Sequence, residues 1–121
     1  MCIRDRDYTV FTATDKYLRD NPKVIQAWTN VVARAEKYVK DTPAATLAPQ
    51  IMSYFPGMDA GAVTDAIERY KQYQIWKTTP LVTAEAMNQL QDMLIASAVM
   101  KDGARVKYED VVVADFARKV P

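Results

Sequence analysis

The sequence predicts a mostly α chain of about five helices, preceded by one N-terminal strand that has no partner. Three observations carry this expectation. Apolar residues recur at three- and four-residue steps through most of the 121 residues, the period of a helix with one buried face. Helix-start signals at Asn21-Pro22, Thr42-Pro43, Asp59 and Thr83 divide that pattern into segments. Only Tyr8-Thr9-Val10-Phe11-Thr12 is dense enough in β-branched and aromatic residues to read as a strand.

A single strand is not stable in water, because its amides and apolar side chains need neighbours. The partner of residues 8–12 is therefore expected outside this sequence or in another molecule. Thr14 or Asp15 then caps a short helical turn reaching Leu18. Asn21 is expected to cap the long helix, with Pro22 at its first position and its end near Lys40. Val24, Ala27, Trp28, Val31, Val32, Ala35, Tyr38 and Val39 fall on one stripe of it, opposite Lys23, Gln26, Asn30, Arg34 and Lys37. A tryptophan at the middle of such a stripe reads as core, and truncating it would cost about 3–5 kcal/mol.

The third helix opens at Thr42-Pro43 and turns Leu47, Ile51 and Met52 inward. Pro49 is expected to kink it or confine it to the residues that follow, and Tyr54-Phe55-Pro56-Gly57 stops it. Asp59 caps a fourth helix that buries Val63, Ala66, Ile67 and Tyr70 and leaves Asp65, Glu68, Arg69 and Lys71 in solvent; Asp65 and Arg69, four apart, are spaced to pair. Residues 75–80 break the pattern. Thr83 starts a fifth helix with Met87, Leu90, Met93 and Leu94 inward, stopped near Gly103. The rest, from Val106 to Val120, reads as an extended segment and a short closing helix at about 115–118. The segments share no fixed period, so they are not a repeat array, and no boundary divides residues 7–121.

Composition narrows the chemistry. Sixteen basic and fifteen acidic residues leave a net charge of +1 without a long run of either sign, so neither nucleic acid nor an anionic membrane is an expected partner. No stretch approaches the roughly 20 apolar residues that span a bilayer. The sequence has no histidine, the usual neutral-pH base and commonest metal ligand. No catalytic residue, metal ligand or cofactor is expected. Asp102, Glu109, Asp110 and Asp115 lack calcium-loop spacing and read as solvated carboxylates. Three glycines form no phosphate loop. Ser53 and Ser97 sit on helices with nothing arranged to activate them. Met52, Met87 and Met93 fall at inward positions, where gap-filling is the ordinary use. Tyr70, Tyr73 and Trp76 make one aromatic group beside an irregular loop, which leaves Trp76 as a weak candidate for ligand binding against the plainer reading of burial.

Met1-Cys2-Ile3-Arg4-Asp5-Arg6 has the form of a translated transposon-end sequencing adapter, against the plainer alternative of a disordered tail. Without it, 14 basic and 14 acidic residues remain and the one cysteine is gone, which suits an extracytoplasmic protein.

Several segments resemble, in order, the C-terminal part of the periplasmic substrate-binding proteins of ABC transporters that carry nitrate, sulfonates, taurine and thiamine precursors. They are the run from Thr14 through Asn21-Pro22 to Trp28, Ala35-Glu36-Lys37-Tyr38-Val39, Tyr54-Phe55-Pro56-Gly57, Ile67-Glu68-Arg69-Tyr70-Lys71, Trp76 shortly before Pro80, Met87-Asn88-Gln89-Leu90-Gln91-Asp92, and Tyr108-Glu109-Asp110-Val111-Val112. The resemblance spans about residues 8–119. It implies a fragment of a two-lobed α/β protein that holds its ligand in the cleft between lobes. Residues 8–12 would be the crossover strand, and the helices would pack on the first lobe's sheet. It also implies a non-catalytic periplasmic protein whose signal peptide lies in a missing N-terminal part and whose partners are a small anionic or heteroaromatic solute and an ABC permease. Cleft residues in this family come mostly from earlier sequence, so no position is carried over. Two alternatives stand beside this one: a pyrimidine-precursor synthase of thiamine biosynthesis, whose family resemblance implies histidine and iron, and a self-sufficient helical interaction module.

Overall fold

A computed structural model describes residues 9–121, and among these the chain is mostly helical, with seven α-helices and no strand. The helices are α1 (Asp15–Asp20), α2 (Pro22–Asp41), α3 (Ala44–Ile51), α4 (Ala60–Gln72), α5 (Ala84–Ala96), α6 (Tyr108–Val111) and α7 (Asp115–Arg118), with 3₁₀ turns at Met52–Tyr54 and Asp102–Ala104. Residues 1–8, which include the six N-terminal residues and Tyr8 of the expected strand, lie outside the described residues. The expected strand does not form over the rest of its length: Thr9 is a bend and Val10 to Thr12 are irregular. No described segment offers these residues a ladder, and Phe11 instead meets Trp28 edge-on, ring centroids 5.2 Å apart and planes at 85°.

Local chemistry sets most helix ends where the sequence places them. The Thr14 hydroxyl accepts from the Tyr17 N–H (3.2 Å), the Asp59 carboxylate from the Ala62 N–H (3.0 Å) and the Thr83 hydroxyl from the Ala86 N–H (3.2 Å), each meeting one of the orphan donors of a first turn. Asn21 differs. Its side-chain amide donates back to the Tyr17 carbonyl (3.3 Å), so it closes α1 and leaves α2 without a side-chain cap. Thr42 likewise ends α2 instead of capping α3, and Pro43 precedes α3. The Lys71 ammonium donates to the Thr42 carbonyl; Lys71, expected in solvent, is half-buried because a cation at a helix C-terminus satisfies both a free carbonyl and the helix dipole. No ion pair joins Asp65 to Arg69 among the described residues.

Pro49 lies inside α3, which runs only two residues past it before tightening to the 3₁₀ turn. At Gly57 φ is +83°, a conformation that glycine adopts without a Cβ penalty.

Two helices end in the same way at residues that are not glycine. After α4, Gln74 N–H bonds the Lys71 carbonyl (3.0 Å) and Ile75 N–H the Tyr70 carbonyl (3.0 Å); after α5, Ala98 N–H bonds the Ile95 carbonyl (2.9 Å) and Val99 N–H the Leu94 carbonyl (2.9 Å). These are Schellman closures, and they place Gln74 at φ +51° and Ala98 at φ +58°. So α5 ends at Ala96, and Gly103, the expected stop, lies in a later 3₁₀ turn. A left-handed residue with a Cβ costs about 1 kcal/mol or more, which exceeds the unfolded-chain entropy that glycine adds. Ala98→Gly is therefore expected to stabilise the chain by about 0.5 kcal/mol in urea melts; a loss of stability would contradict the assigned closure.

The core lies where α3 crosses α4. Ala44, Leu47, Ala48, Val63 and Ile67 are buried together, with Val39, Ile51 and Met52 packed against them. Ala66 and Tyr70, expected on the buried face of α4, are exposed; the buried residues of α4 are Val63 and Ile67, one four-residue step apart in the cluster shared with α3. On α5, Ala86 and Gln91 are buried, while Met87, Leu90, Met93 and Leu94 are half-buried.

Polar contacts carry the closing segment. Gln91 Nε2 donates to the Val106 carbonyl (3.2 Å) while its Oε1 accepts from the Val106 N–H (2.9 Å), imitating a strand pairing with one side chain. Arg105 pairs with Asp92 and, at 3.1 Å, with Asp102. The hydrogen bonds that Arg105 donates to the two carboxylates, Asp92 first, raise the guanidinium above its ordinary pKa. Tyr108 Oη donates to the Val82 carbonyl (2.8 Å), and Gln26 Nε2 to the Phe116 carbonyl (3.0 Å), which ties α7 to α2. The segment expected to be extended thus includes the turn α6, and α7 forms at the expected place.

The chain exposes 9178 Å², whereas a compact monomer of 13.7 kDa is expected to expose about 6,600 Å².

Candidate functional site

On α2 four large apolar side chains, Val24, Trp28, Val31 and Tyr38, are exposed along one helix. This helix has no buried residue, although its sequence carries the strongest amphipathic stripe in the chain. Only the edge of that stripe, Val32 and Val39, turns toward the body, together with Ile25, Thr29, Ala33 and Glu36. The centre of it, Val24, Ala27, Trp28, Val31, Ala35 and Tyr38, faces out. Trp28 is 50% exposed rather than core, and Phe11, its ring partner among the described residues, is 72% exposed. The reason is polar as well as apolar. Gln26 donates to Asn30 (2.9 Å) and to Phe116, so the side expected to be solvated is the one anchored to α7, and the small α3–α4 core reaches α2 only at Val39.

Along the outward face an open groove is lined by Val31, Arg34, Ala35, Lys37, Tyr38 and Asp41. Tyr38 Oη accepts from Gln50 Nε2 (2.9 Å), which fixes the phenol over α3. Lys37 pairs with Asp41 at 2.5 Å. That hydrogen bond, aided by the charges of Lys40 and Lys71, holds the Asp41 carboxyl below its ordinary pKa against a smaller opposing effect of burial. A lowered carboxylate pKa favours the folded state above the ordinary aspartate range, and this support is lost as pH falls through the lowered value; both groups are solvated, so the effect is small. Exposed aliphatic and aromatic side chains with a cationic rim suit the burial of another apolar surface.

The other candidates separate. Trp76 lies in the irregular connection after α4, 40% exposed, with its ring edge-on to Tyr70 at 5.4 Å and 81°. Tyr73 is exposed and joins no ring contact with them. Trp76 is therefore not part of the buried core. Asp102 and Asp115 are taken up by Arg105 and Arg118 (3.1 and 3.6 Å), and no group of three His, Cys, Asp or Glu side chains comes together among the described residues. Ser53 sits in the 3₁₀ turn after α3, and the Ser97 hydroxyl donates to the Leu94 carbonyl (3.2 Å) at the end of α5. Met52 packs on the core and Met87 and Met93 are half-buried.

No family model matches the chain, and no curated protein or solved structure matches it either.

Among the described residues no helix is long and apolar enough to cross a membrane. Two structural residues escaped sequence reasoning. Gln91 occupies an inward helical position between Met87 and Leu94, and that position was the available signal. Nothing in the sequence alone marks Lys71, because its acceptor is 29 residues away.

Proposed function

We propose that this chain is the C-terminal section of the solute-binding component of an ABC-type importer. Such a protein is non-catalytic and periplasmic, and closes two α/β lobes around a small anionic or heteroaromatic solute before handing it to a permease. The observation that carries the reading is the ordered series of segments from Thr14 to Val112, in which cap, aromatic and proline positions recur in the order of that family. The outward face of α2 supports it, since a lobe supplied by the rest of such a protein would bury Trp28, Val31 and Tyr38, whereas a self-sufficient module would turn them into its own core. Closure around a solute requires only that the closed state gain contacts the open one lacks.

The test is to read the coding sequence upstream of Asp7 and to express the resulting polypeptide. An export signal with neighbouring permease and ATPase genes is expected. The purified protein should be stabilised by one of nitrate, taurine, an alkanesulfonate or the thiamine pyrimidine precursor, by about 2.7 kcal/mol at a hundred times Kd. Iron-binding histidines without an export signal would overturn the transport reading in favour of synthesis, and a panel without any stabilising solute would overturn the solute class.

A further inference from the structure

We draw no further inference here: the strongest candidate, the outward apolar face of α2 centred on Trp28 and Val31, belongs to the reading already proposed, and nothing in the structure shows what covers it.

Discussion

Leu47→Ala is expected to lower the unfolding free energy by about 3 kcal/mol. Leu47 is 6% exposed and is the largest side chain that α3 contributes to the buried cluster, where it meets Val63 and Ile67 of α4. The neighbours on its own helix, Ala44 and Ala48, are too small to fill the space it would leave. Small domains sit near the lower end of the usual 5–15 kcal/mol of stability, so this one truncation removes much of what holds α3 on α4. Urea melts followed by far-ultraviolet circular dichroism would show the midpoint falling sharply. Val99→Ala serves as the control, because Val99 is 74% exposed, and its effect should stay within about 0.5 kcal/mol. Equal effects for the two variants would contradict the location of the core.

The second large effect is expected at Gln91, which is 5% exposed and spends both ends of its amide on the backbone of Val106. Gln91→Leu keeps the volume and removes both bonds, stranding a donor and an acceptor. Each lost bond is worth about 1 kcal/mol, with more where the partner stays dry. Val106 lies near solvent and recovers some hydration, which holds the total to about 2 kcal/mol. The readout is local: exchange of the Val106 amide should accelerate roughly thirtyfold, since 1.4 kcal/mol is a factor of ten, while amides of the α3–α4 core remain protected. An unchanged Val106 rate would show that Arg105, Tyr108 and Gln26 hold the segment without Gln91.

What could be read from the sequence was local. Thr14, Asp59 and Thr83 cap where their side chains reach the amide three residues on, and such bonds depend on a few neighbouring residues. The periodicity around Val63 and Ile67 likewise named core residues, because α3 lies shortly before α4 in the chain and α4 packs back on it. Ala98 shows where local reasoning stops: glycine is the usual residue at a left-handed helix end, and an alanine there gives no warning. The orientation of α2 was least legible. A stripe of Val24, Trp28, Val31 and Tyr38 states that the helix has an apolar face, but which way that face turns depends on how much apolar surface the other elements can offer. Here they offer little, and Gln26 fixes the opposite side to Phe116. The expected strand failed for the same reason, since Val10 and Phe11 have no neighbour among the described residues to pair with. For the candidate site, the sequence supplied the residues of the α2 face and assigned them to a core, while Trp76, a weak ligand-binding candidate set against burial, lies beside the irregular loop as expected and is 40% exposed.

The central claim is that the widest apolar face of this chain is turned away from its own core. It is tested most directly by the solvent access of Trp28, measured by iodide quenching in a Trp76→Phe background at concentrations where sedimentation shows a single monomer. The structure predicts red-shifted emission that iodide quenches readily. A blue-shifted, iodide-resistant signal from the monomer would mean that these residues bury the face themselves, and the account would be wrong.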